Sequence, residues 1–454
     1  MMNRNILLAM SITLALSAVA QNDLTMPGLR NTFQASQYNP AIMMENKLSI
    51  GLPVLSNFHI TNARTGITIQ DIIDSKDPND SLIDLNKLHG KIKDDGIGIN
   101  NVFNYDLLHV AFRFGKYQVG FHSTLRTENN FLIGKDFLGF AFFGNDYFRG
   151  QTAEINPLSV YSLQYIENGV ALSRKLGTFT VGARAKYLQG LATARTDNLG
   201  LSFTTPNNPI DPISVRTRGS LYTAGIPLLT DSVSGEDPNK EDKQFDVTNL
   251  YSFQNSGFGF DFGATYTFNE KLFIAASVMD LGGIKWKKSV YKYELPGNTV
   301  EWGGYTYDIV NDSSSRTEFS DSLVSLLTDA NVTRGTFTTP LNTRIFLTTE
   351  YQFTKRDRVG ITYQGRRVLN TFQSAFAIGY THRFFRSWDI TANYSYLNKS
   401  FRNIGLGTSF NLGPVQLYFV SDDILIWFKP NTQNTLYYRM GINLVFGRPP
   451  KKKD

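Results

Sequence analysis

"GFGFDFGATYTF", residues 257–268, alternates without a break. Phe258, Phe260, Phe262, Ala264, Tyr266 and Phe268 share one parity, and Gly257, Gly259, Asp261, Gly263, Thr265 and Thr267 share the other. Successive side chains of a β-strand point to opposite faces. As a strand, this stretch shows an almost continuous aromatic face and a small, polar one. A strand of a soluble sandwich is short and rarely carries aromatic residues at so many consecutive sites. In a membrane barrel such a strand turns its aromatic face to lipid and its polar face to the lumen. The rest of the chain decides between the two.

The chain has 454 residues, 41% of them hydrophobic, with 34 Phe, 22 Tyr and a formal charge of +6. Its mean hydropathy is nonetheless negative, −0.22, so the apolar residues must be spread over alternate positions rather than gathered in blocks. The same texture runs from about residue 106 to 446, with no composition break to mark a second domain. The absence of cysteine excludes a disulfide framework and a thiolate metal site. At the N-terminus, Arg4 precedes the apolar "ILLAMSITLALS" (6–17), and "AVA" (18–20) places small residues at −3 and −1. This predicts a signal peptide cleaved after Ala20 and export from the cytoplasm. Beyond it no run approaches the ~18 apolar residues of a spanning helix; the longest is "FLGFAFFG" (137–144). A membrane location therefore requires a closed barrel, since only helices and closed barrels satisfy every backbone group in hydrocarbon.

Fourteen alternating segments can be read along the chain. They are "NKLSIGLPVLS", "DLLHVAFRFG", "YQVGFHSTLR", "LSVYSLQYIENGVALS", "FTVGARAKYLQ", the opening stretch, "KLFIAASVMDLG", "NTRIFLTTEYQF", "RVGITYQGRRV", "SAFAIGYTHRFF", "SWDITANYSYLN", "RNIGLGTSFNLG", "VQLYFVSDDILIWF" and "LYYRMGINLVFG". Their linkers sort by length. One set is very short (115–116, 175–177, 269–270, 355–357, 385–387, 413–414), and the other includes all the long ones (57–105, 127–157, 196–256, 285–341). Short periplasmic turns and long extracellular loops are the rule in outer-membrane barrels. The expected fold is all-β: a 14-stranded antiparallel transmembrane β-barrel over 47–447, with both ends of the barrel in the periplasm. Residues 21–46 are expected to fold into the periplasmic mouth as a hatch, and 448–454 to trail as a basic periplasmic tail after the ladder-breaking prolines. Helical spacing of Leu82, Leu85, Leu88 and Ile92, behind Asp80 or Ser81 as cap, predicts a helix within loop 77–92, and 320–330 reads alike.

Resemblance adds to this. "NPA" (Asn39, Pro40, Ala41) between the signal peptide and the first strand resembles the FadL-like family of 14-stranded outer-membrane proteins. "SVMDLGGIKW" (277–286) and "LGPVQLYFVSDDILIWFKPN…RMGINLVFG" (412–447) resemble a family of outer-membrane barrels of Bacteroidota, similar in style to the PorV-like barrels of type IX secretion. That kinship implies a hatch in the lumen. It also implies one of two roles: passage of hydrophobic molecules, or partnership in protein export.

With the apolar parity toward lipid, the lumen receives Arg113, Arg184, Lys186, Arg344, Arg366, Arg383 and Arg439, against Asp261, Glu350 and Asp389. A positive surplus in a confined space predicts preference for anionic ligands or for acidic groups of the hatch; alternatively, the cations brace a plugged barrel. None of His59, His89, His109, His122 and His382 has a serine two residues away on its own face, so no catalytic residue is assigned, although cross-strand pairs stay open. The acidic run 71–84 lacks the spacing of a calcium loop, and no metal or other cofactor is expected. The leading expectation is FadL-like binding or passage of an amphiphilic or anionic small molecule by a barrel seated in outer-membrane lipid, without nucleic acid. The alternative is an accessory barrel docking on a secretion or surface complex. An extracellular apolar patch of Phe137, Leu138, Phe140, Phe142 and Phe143 would serve either as its contact surface or as a lip that extracts lipid.

Overall fold

The computed structural model describes residues 23–77, 82–156, 158–208, 213–225, 254–295, 297, 299–302, 331–368, 371–385, 387–397 and 400–447; the expected signal peptide, the 320–330 helix and the basic tail lie outside them. Its strands, in chain order, are β1 (Leu48–Gly51), β2 (Phe58–Thr65), β3 (Ile97–Phe114), β4 (Tyr117–Ile133), β5 (Thr152–Ile155), β6 (Leu158–Leu176) and β7 (Phe179–Thr204). Then follow β8 (Ile213–Ala224), β9 (Ser256–Phe268), β10 (Leu272–Trp286), β11 (Val290–Glu294), β12 (Thr299–Trp302), β13 (Asn331–Thr333), β14 (Phe337–Pro340) and β15 (Arg344–Gln352). The last are β16 (Asp357–Val368), β17 (Thr371–Phe385), β18 (Trp388–Leu397), β19 (Ser400–Leu412), β20 (Val415–Ser421) and β21 (Thr435–Phe446).

Fourteen staves close a ring, and every pairing is antiparallel. β1 and β2 form one interrupted stave that pairs with β21 on one side and β3 on the other, which joins the last stave to the first. β14 and β15 likewise share one stave beside β10. Closure removes the unpaired edges that would expose backbone groups to lipid. Among the described residues no helix is long and apolar enough to cross a membrane; here the strands do so. The opening stretch is β9. Phe258, Phe260, Phe262 and Phe268 are 64%, 45%, 51% and 49% exposed on the outer wall, while Gly259, Asp261 and Thr265 are buried inside.

Alternation changes its meaning above the membrane. The lumen-facing parity of upper β6 carries Tyr161, Leu163 and Tyr165, which pack with Leu188, Ile284, Trp286 and Leu341 into an apolar interior. β7 runs on for 26 residues, and its upper half pairs with β8 and β5, to which β11, β12 and β13 are added. The long loops expected from the sequence are thus partly prolonged staves and a small sheet built on them.

The helix expected over 77–92 is shorter and starts later. α1 (Ile69–Asp74) opens on a capping box between Thr68 and Asp71. α2 (Leu85–Lys91) is capped by Asp84, whose side chain accepts from the Lys87 N–H; Asp80 and Ser81, the caps expected from the sequence, lie outside the described residues. Cap geometry prevails over apolar spacing here because an N-terminal turn needs a side-chain oxygen for its orphan donors.

Candidate functional site: the plugged lumen

Residues 23–46 fill the lumen well beyond its periplasmic mouth. All of them except Gly28, Arg30, Asn31, Met43 and Glu45 are buried. Two single turns, Met26–Gly28 and Phe33–Gln37, are their only regular structure. Backbone groups in such a segment lack a ladder, so wall side chains must satisfy them.

The upper end of the hatch is held by Asp422. Its carboxylate accepts from the backbone N–H groups of Asp23 (2.5 Å), Leu24 (3.1 Å) and Thr25 (2.9 Å). Tyr437 and Tyr38 both donate to the Asp23 carboxylate, at 2.5 and 2.8 Å. In the sequence Asp422 is only a carboxylate toward the end of the thirteenth segment. Only the position of the hatch shows its role, because the partners are about 400 residues apart. Asp422→Ala is expected to leave three buried N–H groups unpaired, at ~1–3 kcal/mol each. Hydrogen exchange checks this: the amides of 23–25 should lose protection while those of β9 keep theirs, and unchanged protection at 23–25 would sink the assignment.

Lower down, the Asn39-Pro40-Ala41 turn sits in a glycine socket. Asn39 Nδ2 donates to the carbonyls of Ala264 (3.2 Å) and Ala276 (3.0 Å), and its Oδ1 accepts from the Ala41 N–H at 2.8 Å. Ser173 Oγ donates to the Pro40 carbonyl at 2.6 Å. Gly182 and Gly263 are direct register partners on β7 and β9. A Cβ on Gly263 would lie 2.0 Å from Asn39 Oδ1, and one on Gly182 would lie 2.4 Å from the Pro40 carbonyl. The missing side chains make room for the turn.

Each of the seven expected lumen cations has a partner. Arg184 meets Asp261 at 3.0 Å and donates to the Ser36 carbonyl of the hatch at 2.7 Å. Lys186 lies 2.7 Å from Asp261, 2.5 Å from Asp280 and 3.6 Å from Glu167. Arg344 binds Asp280 at 2.6 Å, and Arg366 binds Glu128 at 2.8 Å. Arg383 spans Asp389 (2.7 Å) and Glu45 of the hatch (3.1 Å). Arg113 donates to the Met44 carbonyl at 2.6 Å. Arg439 donates to Asn57 at 2.8 Å and also to Tyr38 and Gln37 of the hatch.

The positive surplus expected from the sequence is therefore cancelled internally, and the missed groups have identifiable causes. A bulge between Val278 and Leu281 places Asp280 at φ +63° and turns it inward, where strict alternation from Ile274 would put it outside. Asp106 turns in at a second bulge, between itself and Leu108. Glu167 sits on a prolonged stave whose upper inner face is apolar, so the parity rule hides it; Glu128 lies on the part of β4 that linker length assigned to the 127–157 loop. Asp23 and Glu45 come from the hatch.

One cross-strand constellation also escaped sequence reasoning. Ser49 Oγ lies 3.3 Å from His109 Nε2, and Asp106 Oδ2 lies 3.7 Å from His109 Nδ1. The second distance is too long for a hydrogen bond. The Phe33 ring stacks on the imidazole with centroids 4.0 Å apart. All three polar residues are buried, and the stacked Phe33 ring makes the group part of the seat of the hatch.

The expected extracellular patch lies on α3 (Lys135–Phe143) and is largely spent on internal packing. Phe140 is buried and stacks on Phe203 with centroids 4.5 Å apart, and Phe137 packs against the same cluster. Leu138 and Phe142 pack against the Ile67, Leu88 and Ile92 cluster beneath α1 and α2. Phe143 turns toward Tyr147, centroids 4.9 Å apart. The long loops need a core of their own, and this helix supplies it.

Residues 40–422 match the model of a family of unknown function, DUF5723. No curated protein matches the chain. Among solved structures it is similar to the toluene transporter TbuX of Ralstonia pickettii, at 10% identity and a TM-score of 0.43 over 91% of this chain and 93% of that one. It is similar also to the toluene transporter TodX of Pseudomonas putida, at 9% and 0.40 over 95% and 98%. For the monoaromatic hydrocarbon channel CymD the values are 9% and 0.42 over 91% and 93%. At these identities and scores nothing about a substrate follows.

Proposed function

The chain belongs to DUF5723, and from that premise we propose that it is an outer-membrane barrel that binds or passes an amphiphilic small molecule, with residues 23–46 as its gate. One observation carries this reading. The hatch contributes no strand to the wall and continues into it at residue 47, so it can shift without breaking a ladder hydrogen bond. Three cavities between it and the wall measure about 10 to 20 Å³ each, room for a water molecule at most. Passage therefore requires the hatch to move.

An amphiphile suits the two chemistries stacked in the lumen. The upper interior is packed with apolar side chains around Trp286 and Leu188, and the lower part is filled by charged and hydrogen-bonding groups. Preference for an anion draws no support from the lumen cations, since all seven are engaged. The accessory-barrel alternative leaned on the apolar patch of α3, and with Phe140 packed inward no specific observation favours it.

The chain has no native cysteine, so a single engineered pair can test the gate. Asn39→Cys with Gly263→Cys places two thiols where Asn39 now meets the wall, within disulfide reach. In proteoliposomes, uptake of the anionic amphiphile 1-anilinonaphthalene-8-sulfonate should stop on oxidation and return on reduction. Equal uptake by the oxidised and reduced barrel would end the gate reading.

A further inference from the structure

The barrel wall steps down at its thirteenth stave. β20 ends at Ser421 after only seven residues, whereas β19 and β21 on either side rise to Ser400 and Thr435. The segment 422–434 covers the step. Asp423 is buried, and its Oδ1 accepts from the Leu425 N–H at 3.0 Å, capping the single turn Ile424–Trp427. That turn tips the chain outward over the wall. The Trp427 ring lies 6.0 Å from Phe419 and 5.9 Å from Tyr438, and its Nε1 donates to the Tyr438 hydroxyl. Phe419 and Tyr438 share the outward parity of Leu417 and Met440. Trp427 and Phe428 remain 60% and 75% exposed. Indole and phenyl rings this exposed on an apolar barrel wall mark the boundary between acyl chains and headgroups.

Above this shelf a cleft of about 350 Å³ opens between the tops of β2 and β19, with Lys93, Arg402, Phe401, Thr65, Thr68 and Asn434 in its lining. The volume falls in the range of small-ligand sites, ~300–1,000 Å³. No carboxylate is among the lining residues. The nearest acid through Thr68 is Asp71, whose carboxylate accepts from the Thr68 N–H at 2.8 Å and faces Lys91 at 3.8 Å. Among the described residues Lys93 and Arg402 form no ion pair. This is the reverse of the lumen, where every expected cation is engaged. A protein that engages its interior cations but leaves the exposed Lys93 and Arg402 facing one cleft, directly above an aromatic shelf, offers a place for an anion that arrives on an apolar tail.

We infer that this cleft binds the phosphate headgroup of an outer-leaflet lipid, with the acyl chains running down the wall past Trp427 and Phe428. Lys93 and Arg402 meet the phosphate oxygens, the threonine hydroxyls and the Asn434 amide complete the polar contacts, and the shelf sets the depth of the glycerol. Basic groups at headgroup level each contribute ~1 kcal/mol toward an anionic lipid surface, and a cleft adds fixed geometry to that attraction. The site does not depend on movement of the hatch, so it stands or falls separately from the gate.

The test uses the full-length barrel in an uncharged maltoside detergent and native mass spectrometry. Dihexanoyl phosphatidic acid, dihexanoyl phosphatidylcholine and inorganic phosphate are titrated in parallel. Phosphatidic acid should remain bound, phosphatidylcholine should bind more weakly, and equimolar inorganic phosphate should not displace the lipid. The Lys93→Gln/Arg402→Gln double variant should bind phosphatidic acid at least tenfold more weakly. Trp427→Ala/Phe428→Ala should weaken the lipid as well, although both cations remain. Heat-modifiable gel migration reports that each variant is folded. Unchanged affinity in the double variant, equal binding of phosphatidylcholine, or displacement by inorganic phosphate would each overturn the lipid site; the last would make it a site for free anions.

Discussion

Gly182→Val is expected to push the hatch from its socket and turn a closed barrel into a conducting one. The added Cβ would meet the Pro40 carbonyl carbon and oxygen at 2.4 Å and the Ala41 nitrogen at 2.6 Å. Those are backbone atoms, and they cannot rotate aside as a side chain would. Gly263→Val opposes the Asn39 side chain and the Pro40 ring from the neighbouring stave, where the neighbours can give more easily, and should open the barrel less. Overpacking a filled interior costs roughly 1–3 kcal/mol, and a hatch that contributes no ladder hydrogen bond can relieve it by leaving. In planar bilayers the native barrel should stay closed while the valine variants show steady openings, and trypsin should cut at Arg30 in the variants first. Gly90→Ala, where a Cβ meets nothing within 4 Å, should behave as the native chain. A Gly182→Val barrel as silent and as protease-resistant as the native one would remove the socket from the account.

Lys186→Met is the substitution expected to cost most in barrel stability. The ammonium sits between Asp261, Asp280 and Glu167, and all four side chains are almost wholly buried. Taking away one member of such a group leaves carboxylates without compensation in a medium that solvates them poorly, at about 3–5 kcal/mol. Arg184 still faces Asp261 and Arg344 still faces Asp280, so the loss should not be larger. Lys91→Met, which removes a partly exposed cation from Asp74 at 3.1 Å, should leave the midpoint nearly unchanged, because water screens an exposed pair. Urea titration of both variants refolded in lipid compares the two directly. Equal midpoints would mean that water reaches the buried group and that the lumen is wetter than its packing implies.

The wall was largely legible in the sequence. Each of the fourteen segments read from alternation holds a stave, although the thirteenth leaves the ladder after Ser421, and the short turns fell on one side. The reason lies in the solvent: lipid and lumen impose opposite demands on every second residue, so a period of two is written along the whole length of each crossing. The rule lapses where lipid ends. Above the membrane Tyr161, Leu163 and Tyr165 point inward, and the same alternation then reports an apolar interior instead of an apolar outside. Glu167 on that stave was overlooked for that reason, and so the lumen looked more positive than it is.

The site was less legible, because its geometry joins residues far apart in the chain. Asp280 changes face through a bulge that no composition announces. Asp422 becomes an anchor only because the chain's beginning returns to meet it. Gly263 stands in the opening stretch as one more small residue on the polar parity, and only the approach of Asn39 shows what its missing side chain is for. By itself the sequence determined the barrel, its number of staves and the side on which its loops are long, since these follow from local periodicity against two solvents. The tertiary structure alone decided which charges cancel, what holds the hatch and where the free cations stand, because those outcomes depend on closure of a ring that brings residue 23 against residue 422.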